Sequence, residues 1–177
     1  MKSEPFLTDT QTLRERARQH LENGAVTVGY KANLRTVIKL LNEALATEIV
    51  CVLRYKRHHF MASGLSAHSV AEEFSQHAHE EQTHADQIAQ RIVQLGGEPN
   101  FSPEGLVTRS HSEYVEAVTL VGMIEENLIA ERIAIDSYRE VITYLANDDP
   151  TTRRMLEEIL AMEEEHAEDL ASLLKEL

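Results

Sequence analysis

Tryptophan is absent from the 177-residue chain, cysteine occurs once, and proline and glycine number only 4 and 7. So few turn formers argue against a β-sandwich and exclude a collagen-like chain. The lone Cys51 cannot close an internal disulfide, which fits a reducing compartment and predicts a cytoplasmic protein. No apolar run approaches the ~18 residues that a membrane span needs, and Met1 to Asp9 lacks the apolar core of a signal peptide. Positive charge is scarce as well. Lys and Arg total 17 against 30 Asp and Glu, a formal net charge of −13. A surface that acidic repels nucleic-acid phosphates and anionic membranes and attracts cations. What remains is a hydrophobic fraction of 42%, too high for a disordered chain, in a length that fits one domain.

Periodicity divides the chain into an N-terminal extension, residues 1–30, and a helical bundle, residues 31–177. In the extension Asp9 or Thr10 can cap a short helix through Glu22, with Leu13, Ala17 and Leu21 on one face and Gly24 ending it. A first long helix follows, with Leu34, Ile38, Leu41, Leu45, Val52, Tyr55 and His59 at steps of three and four and Gly64 as its stop. Ser69-Val-Ala-Glu72 reads as a capping box opening the second, with Ser66 as an earlier start; Gly96-Gly97 end it. Ser110-His-Ser-Glu113 reads as the cap of the third, which carries Ala117, Leu120, Ile124, Leu128, Ile135, Tyr138, Ile142 and Leu145. Asn147-Asp-Asp-Pro150 opens the fourth, with proline at the first helical position. A link of about 14 residues between the second and third helices reaches roughly 45 Å when extended. That is about the length of a 30-residue helix. The expectation is an all-α four-helix bundle in which two antiparallel hairpins are joined by one long crossover, with the short N-terminal helix in front and no fifth helix at the C-terminus.

Four glutamates interrupt the apolar rows. Glu48 lies between Leu45 and Val52, and Glu131 between Leu128 and Ile135. Glu81 has Phe74, Ala78, Ala85 and Ile88 around it at helical spacing, whereas Glu80 shares a row with Glu73, His77 and Gln87 and is expected to point outward. Within Glu163-Glu164-Glu165 the same test selects Glu163; Glu164, Glu165, Glu168 and Asp169 read as a hydrated face. His84 and His166 each follow an inward glutamate by three residues. A buried carboxylate costs several kcal/mol unless compensated, and no Lys or Arg occupies these rows near the four. Two divalent cations would balance four carboxylates, and two imidazoles would complete a mixed ligand set suited to iron or manganese, with zinc as a further option. The first half of the chain reads Glu48-x6-Tyr55-x25-Glu81-x2-His84, and the second Glu131-x6-Tyr138-x24-Glu163-x2-His166. One Glu-x-x-His is weak; two copies preceded at matched distance by Glu-x6-Tyr specify a pseudo-twofold site. His58, His59, His68, His77 and His79 read as solvated surface, Met61, Met123, Met155 and Met162 as core filler, and Cys51 as a small buried residue.

This duplicated pattern resembles the ferritin-like superfamily, and within it the bacterioferritin and rubrerythrin branch of di-iron carboxylate proteins. Val37-Ile-Lys-Leu-Leu-Asn-Glu43, Thr47-Glu-Ile-Val50 and His84-Ala-Asp86 are similar to bacterioferritin text. The resemblance implies two iron ions per subunit. Glu48 and Glu131 would be terminal ligands, Glu81 and Glu163 bridges, and His84 and His166 one ligand to each metal, with Tyr55 and Tyr138 orienting carboxylates. It implies ferroxidase and iron-storage activity, with Fe²⁺ and O₂ or hydrogen peroxide as substrates and a homo-oligomeric assembly whose size stays open. Where bacterioferritins carry their haem-ligating methionine this chain has Gln82, which argues against haem. A rubrerythrin-like peroxidase and a DNA-protecting mini-ferritin are the alternatives; the missing basic tail argues against nucleic acid as a partner.

Overall fold

A computed structural model describes residues 8–64 and 67–176. Among the described residues six α-helices are formed: α1 (Thr10–Arg16), α2 (Leu34–Met61), α3 (Ala67–Gln94), α4 (Leu106–Arg109), α5 (Leu120–Leu145) and α6 (Pro150–Glu176). Leu177, on which the expectation about a fifth helix bears, lies outside the described residues, as does Ser66. Among the described residues no helix is long and apolar enough to cross a membrane.

Local chemistry sets most helix ends. The Asn33 side chain accepts from the Thr36 amide at the start of α2, and Asp149 accepts from the Thr152 amide just ahead of Pro150. Gly96, at φ 77°, closes α3 while the Gly97 amide bonds back to the Ile92 carbonyl at 2.9 Å, a Schellman motif. A Cβ on Gly97 would fall 2.8 Å from Ile38 Cγ2, so glycine is what lets this turn press against α2.

Hydrogen bonds fix the topology. On α2 the residues Glu48, Tyr55 and His58 pair with Tyr138, Glu131 and Asn127 of α5, so these helices run antiparallel. On α3, Glu80 and Arg91 pair with His166 and Thr152 of α6, again antiparallel. Two hairpins, α2–α3 and α5–α6, therefore pack with α5 parallel to α3. The segment from 95 to 119 that joins them climbs along α2. Asn100 bonds Asn42, His111 bonds Thr47, Arg54 donates to the Glu113 carbonyl and Arg57 to the Glu116 carbonyl.

Several expectations are corrected. The third long helix starts at Leu120, capped by Thr119, and not at Ser110. Ser110 instead folds into a local turn, with its hydroxyl donating to the Ser112 carbonyl and accepting from the Ser112 amide. The buried Arg54 guanidinium takes the Glu113 carbonyl, which a helix through this stretch would have spent internally. The second long helix is already under way at Ala67, so Ser69 lies within it rather than capping it. The N-terminal helix stops at Arg16, and its proposed apolar face is uncovered, with Leu13 52% and Leu21 76% exposed. No neighbouring surface shelters that stripe, so burial does not extend the helix. The extension nonetheless reaches the bundle further on, where Val26 and Tyr30 pack on its core and the Tyr30 hydroxyl donates to Asp149 at 2.9 Å. Met123 is core, but Met61 is about half exposed at the end of α2.

Among the described residues the apolar core falls into two large clusters, with a small third of Ala46, Val50 and Leu106 beneath α4. One large cluster gathers Leu41, Leu45, Ile88, Ile92, Leu145 and Leu156, and the other Tyr55, Phe74, Met123, Ile124 and Leu170. Along every long helix the interval between the two large clusters is where the four glutamates sit.

Candidate metal centre

Helical periodicity that would place leucine at these positions places carboxylates instead, and all of them are sealed from solvent. Glu48, Glu81, Glu131 and Glu163 are each at most 1% exposed, and His84 and His166 are buried with them. The six side chains converge as two overlapping sets. Glu48, Glu81, His84 and Glu163 offer ligand atoms within 4.8 Å of one another, and so do Glu81, Glu131, Glu163 and His166. Glu81 and Glu163 belong to both sets, so each can bridge a pair of ions while Glu48 and Glu131 terminate it. His84 Nδ1 stands 3.1 Å from Glu163 and 3.5 Å from Glu48. His166 Nδ1 stands 3.6 Å from both Glu81 and Glu163.

The donor set fits metal ions on its own terms. Eleven buried side-chain nitrogen and oxygen atoms lack a hydrogen-bond partner among the described residues, and seven of them belong to these six residues. They are Glu48 Oε2, Glu81 Oε1, Glu131 Oε2, both oxygens of Glu163, and the Nδ1 atoms of both histidines. Buried polar atoms are ordinarily satisfied, so an aligned group of seven marks a place built for cations. Two of the three remaining carboxylate oxygens are spoken for. Tyr138 donates to Glu48 Oε1 and Tyr55 donates to Glu131 Oε1, each in a very short contact across the bundle. Each tyrosine thus braces a glutamate contributed by the other hairpin.

Electrostatics tell the same story. Burial, then the Glu81 carboxylate, pushes Glu48 up to about 8. Burial and Glu163 raise Glu131 well above the carboxylate range, and burial with Glu81 and Glu48 raises Glu163. Burial and Glu131 press upward on Glu81 too, but its polar contacts with Glu48, His166 and His84 hold it below its usual value. Burial works against charging the imidazoles, yet Glu163 and Glu81 lift His166 to about 11, and Glu163, Glu48 and Glu81 raise His84 strongly. Without metal, protons carry the positive charge that four clustered carboxylates require.

Other neighbours depart from expectation. Glu80 does not simply point outward: it is half-buried, and its Oε2 meets His166 Nε2 at 2.9 Å, which leaves Nδ1 to face the glutamates. His77 and His58 are not solvated but fully buried. The His77 ring stacks on His166 with centroids 4.0 Å apart, and its Nδ1 lies 3.1 Å from the Tyr55 hydroxyl. Burial holds His77 down to about 3 and His58 to about 4. His59 is half-buried against the Ala71 carbonyl, and His68 and His79 are exposed. Cys51 is buried as expected. Arg54 is a buried cation that the row analysis omitted; its guanidinium bonds Asn127, the Glu113 carbonyl and Cys51 rather than any of the four glutamates. One signal could have found His77: it lies four residues before Glu81 and seven before His84, on their own heptad row. Gln82 lies on the outer face and bonds Asp86. A surface cleft of about 220 Å³, lined by Glu80, Thr83, His84, Glu158 and Met162 among others, reaches the edge of the centre at His84.

Comparison with known proteins agrees with this architecture. A family model described as the ferritin-like domain matches residues 38–177. A nutrient stress-induced DNA-binding protein of Nostoc sp. is 31% identical over 171 residues, covering 95% of this chain and 92% of that protein. A Mycobacterium tuberculosis bacterioferritin is 30% identical over 145 residues, covering 78% of this chain and 84% of the relative. Among solved structures, a dodecameric thioferritin, the bacterioferritin-related protein of Bacteroides fragilis, superposes with a TM-score of 0.80 at 33% identity, covering 82% of this chain and 88% of that one. Dps from Thermosynechococcus elongatus, 20% identical with a TM-score of 0.76 over 79% of this chain and 90% of its own, shares the fold. With its four-helix architecture and a family match over most of its length, the chain belongs to the ferritin-like domain family.

Proposed function

We propose that the protein is a ferroxidase of bacterioferritin-like type that takes Fe²⁺ as substrate at a centre held within one subunit. The observation that carries this reading is the convergence of seven unpartnered ligand atoms from Glu48, Glu81, His84, Glu131, Glu163 and His166 between two apolar clusters. Two Fe²⁺ ions give up one electron each; O₂ takes two electrons and two protons to become hydrogen peroxide, or hydrogen peroxide takes the same to become two waters. Glu81 and Glu163 bridge the ions, Glu48 and Glu131 close the two ends, and His84 and His166 each bind one. Manganese or zinc suits the same ligand types.

The chain's own groups prepare this chemistry. Tyr55 and Tyr138 fix one oxygen of each terminal glutamate, so the other is aimed inward before an ion arrives. Glu80 fixes the His166 ring in the same way. The apolar clusters above and below exclude water, which strengthens every charge interaction inside. Carboxyl and imidazolium protons leave as cations enter, so loading releases protons.

Assembly into a homo-oligomer, as the dodecameric Bacteroides relative's description suggests, would let oxidised iron collect in a shared cavity. The single free cysteine is consistent with a cytoplasmic setting. Iron per chain after aerobic loading, measured with the size-exclusion mass, tests the reading. Storage requires far more than two irons per chain, whereas a rubrerythrin-like peroxidase stops near two, and failure to bind two overturns the dinuclear assignment. The Nostoc relative's name raises DNA protection as a second reading. The net charge of −13 weighs against it, and salt-sensitive retardation of DNA would reinstate it.

A further inference from the structure

A second group of ligand-type side chains lies outside this centre, on the seam between α3 and α6. His77 Nε2 stands 3.2 Å from Glu73 Oε1 and 3.9 Å from Asp169 Oδ2, and one candidate atom from each residue falls within 4.8 Å of the other two. The imidazole is 1% exposed, whereas the Glu73 and Asp169 side chains are 31% and 47% exposed. A buried imidazole is therefore presented to a half-open acidic pair.

That ring is held on two other sides. It stacks on His166, and its Nδ1 meets the Tyr55 hydroxyl. Tyr55 has one hydroxyl hydrogen and gives it to Glu131, so its oxygen accepts from His77 Nδ1–H. In the neutral ring Nε2 then carries the lone pair, and that lone pair faces two carboxylates. Among the described residues His77 hydrogen-bonds only through Nδ1. Three acceptors thus surround one point with no donor among them.

We propose that Glu73, His77 and Asp169 bind one divalent first-row transition cation, separate from the pair assigned to the buried glutamates. One imidazole and two carboxylates suit Fe²⁺, Mn²⁺, Co²⁺ or Zn²⁺. Burial together with the Asp169 and Glu80 carboxylates pushes the Glu73 carboxyl above its usual range, a crowding of negative charge that a cation relieves. The half-open carboxylates leave coordination positions to water, so the ion exchanges with solvent. His77 precedes Glu81 by four residues, about one helical turn, and its ring lies against His166. An ion on this group stands beside the dinuclear centre and on the solvent side of it.

Anaerobic Co²⁺ titration followed by visible absorption and equilibrium dialysis tests the proposal on the full chain. Replacing Glu73→Gln together with Asp169→Asn alters only partly exposed groups, and we expect it to lower bound Co²⁺ by one per chain. Glu163→Gln should diminish binding at the pair and leave that additional ion in place. An unchanged Co²⁺ count in the Glu73→Gln/Asp169→Asn variant overturns the proposal. Loss of one ion in that variant with no loss in Glu163→Gln would sink the dinuclear reading and leave this site standing.

Discussion

Tyr138 on α5 donates its hydroxyl hydrogen to Glu48 on α2, so a residue of the second hairpin holds a glutamate of the first. Replacing Tyr138→Phe removes the only group among the described residues that hydrogen-bonds Glu48 Oε1 and leaves a buried oxygen unsatisfied. Outer partners of metal ligands are typically worth roughly 10–100-fold in affinity or activity. Anaerobic Co²⁺ affinity should fall within that range while circular dichroism stays unchanged. Undiminished affinity would show that Glu48 is positioned by packing alone.

Glu163 contributes both of its oxygens to the unpartnered set. Glu163→Gln preserves volume but removes the charge that would join two ions. Stopped-flow Fe²⁺ oxidation should slow by at least about 100-fold, at or beyond the upper limit expected of an outer partner. The metal-free variant should melt no lower than wild type, because one of four mutually repelling buried carboxylates is gone. Oxidation at the wild-type rate would remove Glu163 from the centre.

Cations that bind only the folded state raise its stability by RT ln(1 + [L]/Kd), about 2.7 kcal/mol at a hundredfold excess over Kd. For a chain of this size each kcal/mol is worth roughly 2–4 °C. Anaerobic Fe²⁺ or Zn²⁺ should therefore lift the melting temperature on the order of 5–10 °C in a thermal scan.

The metal-free protein should lose stability as the pH rises above neutrality. His166 titrates near 11 when folded against an ordinary 6.5, and Glu48 near 8 against 4.5. Both bind more protons in the folded state than in the unfolded one across the intervening range, so their stabilising effect is complete below the unfolded values and disappears through the folded ones. His58 and His77 are shifted the other way, to about 4 and about 3, and their effect on the slope is over above 6.5. Between pH 7 and 10 the raised groups dominate. Melting temperatures should fall across that window without metal and change less with metal bound, since cations then replace the protons.

Asp149 joins three elements. It caps α6 through the Thr152 amide, receives two hydrogen bonds from the buried Arg91 of α3, and accepts from Tyr30 of the N-terminal extension. Asp149→Ala strands Arg91 in the core, a loss of about 3–5 kcal/mol. The melting temperature should drop on the order of 10 °C, with the metal stoichiometry unaltered. Asp149→Asn, which keeps the cap, should recover part of it.

The sequence showed the six converging residues because a carboxylate on an apolar row is conspicuous, and because the Glu, Tyr and Glu-x-x-His spacing occurs twice. It hid Glu80 and His77 for the opposite reason. They sit on the α3–α6 seam, where a row of polar residues looks like a wet face until the packing angle of the neighbouring helix is known. The start of α5 was illegible for a similar cause. Ser110-His-Ser-Glu113 satisfies every local rule for a cap, and only the distant Arg54, which needs the Glu113 carbonyl, draws that stretch away from helix.

The internal duplication is imperfect in one telling place. Against the His166 ring lie His77 and Glu80; beside His84, the corresponding positions of α6 are Ile159 and Met162, which line the cleft. The His166 half is covered by the stacked His77 ring, while the His84 half borders the cleft. Were ions to enter by this cleft, the His84 side of the chamber would be the first they met.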